Sequence, residues 1–268
     1  MKPTILLFGS TGMLGNYVKS VLDTSYNIIN IYRNIFNIST DSWDKLRNIV
    51  LEYNPHIIIN CAGIIPQNNS QDNYNDYIRI NTLFPHIVSF LSKEFDIKFI
   101  HITTDCVFDG KKGNYNELDT HTEQSLYGKT KSLGEPENAI VIRTSIIGEE
   151  TNNKNSLLEW VKKNINGNIV GYDNHYWNGV TCLTLARFIL FILDKNIIWN
   201  GVRHVYSPEI VSKYDLCKFI NDIYKLNITI TKTSKNNIIV DKSLSSIYSL
   251  DYNIEPIYQQ ILDQKDYL

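Results

Sequence analysis

The sequence predicts an α/β fold built on a doubly wound parallel sheet, with helices on both faces. Three observations support this prediction. Short apolar runs rich in Ile, Val and Leu alternate with longer helix-like stretches through the first half of the chain. These runs lack the polar alternation of half-exposed strands, as is typical of parallel strands covered on both faces. The 268 residues are 43% hydrophobic, which is enough to fill one large core.

The alternating segments give the elements of the first half in order. Each predicted strand is a continuous β-branched or apolar run, and each predicted helix is a longer stretch between two such runs. The predicted strands cover residues 4–8, 27–32, 56–60, 98–103 and 139–143. The predicted helices cover residues 13–22, 42–53, 76–94 and 125–136. Strands and helices that alternate in this way are typical of parallel sheets with crossover helices.

The pattern becomes irregular after Gly148. A polar loop at 151–155 precedes predicted helices at 156–164, 183–193 and 212–226 and a predicted strand at 201–206. We therefore predict a main domain at 1–150 and a smaller C-terminal lobe at 151–268, with interleaved chain segments. No change of composition marks a linker, so we expect one rigid body around a cleft.

Composition argues against several classes of function. The net charge of -2 disfavours a nucleic-acid partner, which requires a basic surface. The four cysteines lack CxxC spacing and the six histidines lack metal-ligand spacing, so we expect reduced thiols, a cytoplasmic protein and no metal. The apolar runs at 5–8 and 188–193 are too short to span a bilayer, so we expect no membrane partner.

A glycine-rich loop, GSTGMLG at 9–15, lies between the first predicted strand and the first predicted helix. Its glycines permit a tight turn and a close approach to a pyrophosphate, and the helix N-terminus supplies free N–H groups. The loop therefore predicts a dinucleotide cofactor. Small residues after the third predicted strand let the backbone pass close to the same ligand. The expected contacts are Gly9, Thr11, Gly12, Met13, Leu14, Gly15, Cys61, Ala62 and Gly63.

The end of the second predicted strand indicates NADP. A carboxylate at this point would bind the ribose 2′-hydroxyl of NAD. The chain has Tyr32, Arg33 and Asn34 here and no acid, and a guanidinium can pair with a 2′-phosphate. We therefore predict NADP (NADPH), with Asn37 and Ile38 beside the adenine. An exposed loop arginine is the alternative interpretation of Arg33.

Tyr127 and Lys131 stand four residues apart and therefore share one helix face. An ammonium beside a phenol favours the phenolate and would lower the tyrosine pKa from its usual value near ~10. Such a tyrosine can protonate an alkoxide that forms on a reduced carbonyl. Thr104, directly after the fourth predicted strand, can hydrogen-bond the carbonyl oxygen. We predict a catalytic group of Thr104, Tyr127 and Lys131, in which Lys131 also holds the cofactor ribose.

Several segments together carry a resemblance to a known family. They are the glycine loop, TTDCVFDG at 103–110, YGKTK at 127–131 with Gly134 and Glu135, RTS at 143–145 and WNGVT at 177–181. The chain resembles the extended short-chain dehydrogenase/reductases and, more narrowly, the dTDP-4-dehydrorhamnose reductase-like family. The resemblance implies a Rossmann domain with a substrate-binding lobe. It also implies NADPH-dependent reduction of the C4 ketone of a nucleotide-linked 4-keto-6-deoxyhexose, in L-rhamnose-like or 2-acetamido-2,6-dideoxy-L-hexose biosynthesis.

Cys106 departs from the reductase pattern. Members that only reduce resemble STDYVFDG, with tyrosine at this position, whereas GDP-fucose synthase and UDP-rhamnose synthase carry a cysteine and also epimerise the sugar. The resemblance implies that Cys106 acts as a base for C3 epimerisation if its surroundings lower the thiol pKa. A small buried filler is the alternative. The partner acid stays open among Lys154, Glu159 and His175.

The nucleotide and the C2 substituent of the substrate stay open. UDP, dTDP and GDP are all candidates, although GKKGNY, RTSIIG and SLLEW look most like bacterial reductases that make UDP-linked 2-acetamido sugars. For Arg143 and Trp177, a structural ion pair and a packed indole are equally good interpretations. The expected substrate contacts are Asn81, Thr104, Asp105, Cys106, Tyr127, Arg143 and Trp177.

A non-catalytic binding module is the second hypothesis. Relatives of this fold serve as regulatory subunits of methionine adenosyltransferase, in which NADP binding matters more than turnover. The presence of Thr104, Tyr127 and Lys131 favours the enzyme, because a regulatory subunit has no need of them. A homodimer stays open as an oligomeric state.

Overall fold

The computed structural model describes residues 2–66, 73–151, 154–249 and 251–267. The strands are β1 (Thr4–Phe8), β2 (Asn27–Ile31), β3 (Ile57–Asn60), β4 (Lys98–Thr104), β5 (Ile140–Thr144), β6 (Ile146–Ile147), β7 (Asn168–Tyr172), β8 (His175–Trp177), β9 (Val180–Thr181), β10 (Gly201–His204), β11 (Val211–Ser212), β12 (Thr229–Thr233) and β13 (Val240–Asp241). The helices are α1 (Met13–Leu22), α2 (Trp43–Tyr53), α3 (Tyr74–Tyr77), α4 (Phe84–Glu94), α5 (Leu126–Ser132), α6 (Leu157–Lys163), α7 (Cys182–Asp194), α8 (Lys213–Tyr224) and α9 (Ile257–Tyr267). None of these helices has the length and apolar character of a membrane span.

Six strands form one parallel sheet in the order β10-β5-β4-β3-β1-β2. The chain leaves β1 to form β2 on one side and then returns to form β3 on the other. In such a sheet, a crevice opens at the carboxyl ends of the two strands where the order reverses. The predicted α/β fold with a doubly wound parallel sheet is therefore confirmed, and the crevice lies beyond β1 and β3.

Strand β1 is apolar after Thr4 because both faces of the sheet are covered at this strand. Ile5 and Leu7 belong to the core on one face of the sheet, together with α1 and α7. Leu6 and Phe8 belong to the core on the other face, together with α2 and α4. All four side chains are buried, and each contributes on the order of 1.5–3 kcal/mol by leaving water. The sheet is thus held between two helical layers.

Two elements from the second half of the sequence, one helix and one strand, join the main sheet and its helical layer. Helix α7 packs on α1, and β10 pairs in parallel with β5 from Gly201 opposite Ile140. The strand predicted at 201–206, which we placed in the C-terminal lobe, therefore extends the main sheet instead. Without it, the apolar strand β5 would be an exposed edge.

The C-terminal part has its own apolar core between α6, α8 and α9. Three small sheets surround it, in the orders β11-β8-β13, β12-β7 and β6-β9. The sequence analysis missed these strands and α9. All seven strands have only two to five residues, and β7 alternates exposed and buried positions at its first four residues. They depend on tertiary pairing more than on local pattern.

The helix predicted at 76–94 is interrupted by a π-helical turn at Ile78–Leu83. This turn brings Asn81 against the neighbouring helix α5. A Cβ on Gly134 would lie only 1.8 Å from the Asn81 carbonyl oxygen. The chain after α5 therefore passes directly over the π-helical turn, and the helix predicted at 125–136 ends at Ser132.

Candidate active site

The glycine loop forms a cradle before α1. Gly9 has a φ of 78°, a conformation that favours glycine, and a Cβ on Gly15 would lie 2.0 Å from the Gly9 carbonyl oxygen. Gly12 precedes the helix and offers no side chain to cap it. The N–H groups of the first helical turn are therefore available to an anion. These residues fit the pyrophosphate of a dinucleotide.

A cavity of about 500 Å³ opens at the carboxyl ends of the central strands. This volume is in the usual range for a small-molecule site. Twelve residues predicted from the sequence line it together, namely Thr11, Gly12, Met13, Leu14, Cys61, Ala62, Gly63, Thr104, Asp105, Cys106, Tyr127 and Lys131. The wall also includes Glu150, Thr151, Asn155 and Ser156 from the segment before α6, and Leu157 at the start of this helix. The cavity is thus enclosed by both parts of the chain.

Helix α5 carries Tyr127 and Lys131 and is fixed at its start. The Ser125 side chain caps the helix by accepting a hydrogen bond from the Gly128 N–H at 3.2 Å. A Cβ on Gly128 would lie 2.6 Å from the Cys106 carbonyl oxygen, so the helix packs closely on the turn after β4. This packing brings Tyr127 beside Thr104 and Cys106.

The predicted effect of Lys131 on Tyr127 is wrong. Burial raises the pKa of the Tyr127 phenol, and Cys106 and Asp105 raise it further, while the Thr104 hydroxyl opposes them. Lys131 instead donates a hydrogen bond to the Ile102 carbonyl oxygen at 3.0 Å, and burial lowers the pKa of this ammonium to about 8. The phenol is therefore protonated at neutral pH.

The environment of Cys106 does not meet the condition for a catalytic base, which was a lowered thiol pKa. Burial and the neighbouring Asp105 raise the pKa of the thiol to about 12. The Cys106 N–H donates to the Thr104 hydroxyl at 3.1 Å, which fixes the residue beside the catalytic group. The thiol lines the cavity, but it is not a thiolate near neutral pH.

None of the three candidates for a partner acid lines the cavity. Glu159 is buried and accepts a hydrogen bond from the Glu150 N–H at 3.2 Å. The Lys154 carbonyl oxygen accepts a bond from Lys163, and His175 packs against Tyr172 with ring centroids 5.2 Å apart. The structure therefore does not place any of the three in the wall of the cavity beside Cys106, and the partner acid stays open.

Arg143 is a structural residue and not a phosphate ligand. Its side chain is buried and forms two bonds to Glu135, at 3.1 and 2.6 Å. It also contacts His204 at 2.8 Å and His121 at 2.7 Å, and lies over the Phe108 ring. Every face of the guanidinium is thus occupied by protein groups.

Asn81 and Trp177 are likewise held inside the protein. The Asn81 side chain accepts from the Ile64 N–H at 2.9 Å and donates to the Ile64 carbonyl at 3.1 Å and to Thr130 at 3.3 Å. Asn81 therefore positions the cavity loop after β3 and does not reach a substrate. Trp177 is buried in the C-terminal core and offers no open indole face for a sugar.

The predicted adenine side of the cofactor site is not part of this cavity. Arg33 is exposed directly after β2. The Asn37 N–H donates to Asp41 at 2.8 Å, and the Ile38 carbonyl accepts from Arg79 at 2.6 Å. These contacts order the loop after β2. The role of Arg33 toward a 2′-phosphate stays a prediction.

Sequence reasoning missed two lysines whose ammonium groups are affected by the charges of Asp105 and Cys106. Lys213 begins α8, and Lys242 follows β13. The sheet β11-β8-β13 brings them together from segments that are distant in sequence. No local motif surrounds either lysine, so no sequence signal could have found them.

The parallel sheet, the glycine cradle and the group of Thr104, Tyr127 and Lys131 define a class of protein, the extended short-chain dehydrogenase/reductases. Within this class, the family model described as the RmlD substrate binding domain matches residues 1–251. The chain belongs to this family.

Two kinds of relative are similar to the chain in sequence. The dTDP-4-dehydrorhamnose reductase of Aggregatibacter actinomycetemcomitans is 25% identical, over 81% of this chain and 78% of that protein. Methionine adenosyltransferase 2 subunit beta of Danio rerio is 27% identical, over 83% of this chain and 74% of that protein. Sequence similarity alone therefore does not separate the two functions.

Solved structures show the same fold. A dTDP-4-dehydrorhamnose reductase from Clostridium acetobutylicum matches with a TM-score of 0.81 at 21% identity, over 98% of this chain and 99% of that one. The enzyme of the same name from Bacillus anthracis, in complex with NADP, matches with a TM-score of 0.82 at 20% identity, over 98% of each chain.

Proposed function

We propose that the protein reduces the C4 ketone of a nucleotide-linked 4-keto-6-deoxyhexose with NADPH. The observation that carries this proposal is the convergence of Thr104, Tyr127 and Lys131 on one cavity beside the glycine cradle. A dinucleotide-binding protein without turnover would not need a buried phenol at this point. Membership of the RmlD family and the named reductase relatives support the same reaction class.

The bound nicotinamide dinucleotide supplies the hydride in this reaction. Tyr127 holds the proton, because burial raises its phenol pKa, and gives it to the oxygen that becomes an alkoxide. Thr104 orients that oxygen from the end of β4. Lys131 uses one of its three donors on the Ile102 carbonyl, which leaves the others for ribose hydroxyls.

We propose NADPH as the preferred cofactor, since Arg33 follows β2 where an acid would select NAD. Replacing Arg33 with Ala should weaken NADPH binding about ten- to a hundredfold, the expected loss of a charge-assisted contact, and leave NADH within about twofold. The measurement is fluorescence titration with both cofactors. Arg187→Ala, on the exposed side of α7, is the matched control and should change neither affinity. Equal losses for both cofactors in Arg33→Ala would contradict the 2′-phosphate assignment.

Coupled C3 epimerisation is a finer prediction that the proposed function leaves out, because only the resemblance around Cys106 supports it. The raised pKa of the thiol opposes a thiolate base. In deuterated water, we therefore expect the product to carry no deuterium at C3, as determined by NMR. Deuterium at C3 would reverse this conclusion. Its loss in Cys106→Ser, with reduction retained, would then assign the base to Cys106.

A panel of sugar nucleotides tests the whole proposal. The panel consists of UDP- and dTDP-linked 4-keto-6-deoxyglucose, dTDP-4-dehydrorhamnose and the UDP-linked 2-acetamido-4-keto-6-deoxyhexose. The resemblance favours a UDP-linked, 2-acetamido substrate, whereas the reductases among the relatives are named for a dTDP sugar. We expect NADPH oxidation with at least one member of the panel.

The second candidate is a regulatory subunit of the methionine adenosyltransferase type, favoured by the similarity to the Danio rerio protein. Such a subunit would bind NADPH without oxidising it faster in the presence of any sugar. It would also change the activity of a methionine adenosyltransferase catalytic subunit. Turnover with a sugar and no effect on that subunit would exclude this candidate.

A further inference from the structure

The π-helical turn at Ile78–Leu83 holds the loop that follows β2. Arg79 donates from Nε to the Ile38 carbonyl oxygen at 2.6 Å, and its Nη2 donates to the Asp41 carbonyl oxygen. The guanidinium also lies over the Trp43 ring, 4.1 Å from its centre. One planar, forked side chain thus binds two carbonyls of the same loop at once, an arrangement that the compact ammonium of a lysine does not match.

The loop at 37–41 also has internal contacts that give it a defined shape. The Asn37 N–H donates to Asp41 Oδ2 at 2.8 Å, and the Ser39 N–H donates to Asn37 Oδ1 at 3.1 Å. Ile38 packs against the core between the sheet, α2 and α4, and its side chain is only partly buried. The loop therefore presents a half-buried apolar residue beside polar backbone, and the π-helical turn fixes it from outside.

The order of the strands places this loop at one end of an extended ligand. Strand β4 ends in Thr104, β3 and β1 follow in the sheet, and β2 lies beyond the glycine cradle. A dinucleotide whose pyrophosphate rests on the cradle and whose nicotinamide reaches Thr104 must extend its adenosine half the other way, over the end of β2. The chain that leaves β2 forms the loop at 37–41.

We propose that Arg79 positions the loop at 37–41 as the wall of the adenine site. This inference rests on the proposed function in one respect, the use of a nicotinamide dinucleotide. Arg79 acts through the loop and not on the cofactor, because its guanidinium is committed to two loop carbonyls and the Trp43 ring. Without Arg79, the loop holds its binding shape for only a fraction of the time. The apparent Kd of the cofactor then rises by the inverse of that fraction.

Other side chains of the same turn hold the catalytic part of the site. Asn81 bonds to both backbone groups of Ile64, at 2.9 and 3.1 Å. The Thr82 hydroxyl donates to the Thr130 carbonyl oxygen on α5 at 2.7 Å. These contacts do not involve Arg79. A substitution that removes only the loop contacts therefore changes cofactor affinity, whereas one that unravels the turn also lowers kcat.

Fluorescence titration of Arg79→Met with NADPH and with NADH tests the proposal without any sugar. We expect both affinities to fall by the same factor, about tenfold, if the loop keeps its shape roughly a tenth of the time. The factor is equal because both cofactors contain the adenine, in contrast to the selective loss expected for Arg33→Ala. At saturating NADPH, kcat should stay within about twofold of the wild type, because α5 keeps its contacts. Arg79→Lys retains the charge but not the fork, and it should weaken both cofactors almost as much.

Arg47→Met is the matched control, since Arg47 also lies over an aromatic ring and forms two bonds, to Glu94 at the end of α4. It should bind both cofactors as the wild type does. Asp41→Ala releases the same loop without altering the turn, and it should weaken both cofactors equally even where Arg79→Met does not fold.

Unchanged affinities, a loss confined to NADPH, or a fall in kcat at saturating cofactor would each overturn the positioning role of Arg79. A wild type that binds both cofactors, with equal losses in Arg79→Met, but never oxidises NADPH would support this role and contradict the reductase proposal alone. A wild type that binds neither cofactor would overturn both.

Discussion

Tyr127→Phe should lower kcat for sugar reduction about a thousandfold and leave the affinity for NADPH within about twofold. The buried phenol lines the cavity and is the proton donor of the proposed reaction, and general acid catalysis by a positioned side chain contributes on the order of 10²–10⁴ in rate. The substitution removes only one oxygen, so the packing of α5 on the turn after β4 is retained. Stopped-flow NADPH oxidation and cofactor titration give the two quantities.

Tyr258→Phe is the matched control for the loss of a phenol oxygen. Its hydroxyl bonds to Asp222 between α9 and α8, outside the cavity. We expect wild-type kcat in this variant. Wild-type turnover in Tyr127→Phe would remove the tyrosine from the mechanism and leave Thr104 or Cys106 as the source of the proton.

Arg143→Met should destabilise the protein by about 3–5 kcal/mol, the usual effect of removing one partner of a buried ion pair. Glu135 would then be buried without its cation, and His121 and His204 would each lose a contact. We expect a Tm roughly 10 °C lower by thermal unfolding. KM for the sugar should change little in the protein that stays folded, because Arg143 does not line the cavity.

Arg47→Met gives a direct comparison, because Arg47 also pairs with a glutamate, Glu94, through two bonds. That pair is partly exposed, and such pairs contribute only about 0–1 kcal/mol. We expect a Tm close to that of the wild type. An unchanged Tm in Arg143→Met, together with a strongly raised KM, would restore its role as a phosphate ligand.

The parts of the molecule that the sequence predicts well are those governed by local rules. The glycine loop depends on the backbone freedom of Gly9 and on close contacts at Gly15, and both are properties of the residue type. Strand β1 is apolar on both faces because two helical layers cover it, and this pattern is visible in four consecutive residues. Thr104 ends strand β4, and Tyr127 lies near the start of α5, the next helix. The alternation of parallel strands and crossover helices therefore places both residues at the same edge of the sheet.

The parts that the sequence did not predict depend on distant segments. Arg143 is bonded to His204 on β10, and that strand joins the main sheet 61 residues later in the chain. The pKa of Tyr127 is set by burial, which overcomes any effect of a lysine on the same helix face. Lys213 and Lys242 are brought to one small sheet only through pairing of two- and three-residue strands, which leave no pattern in the sequence.

The most direct test of the central claim is transfer of an isotope between the two substrates. The wild type is given a nucleotide-linked 4-keto-6-deoxyhexose and NADPH that carries deuterium at the transferred position, and the sugar is analysed by NMR. We predict one deuterium on C4 of the sugar and an equal amount of oxidised cofactor. Binding of NADPH with no deuterium in any sugar of the panel would contradict a reductase and favour the regulatory subunit.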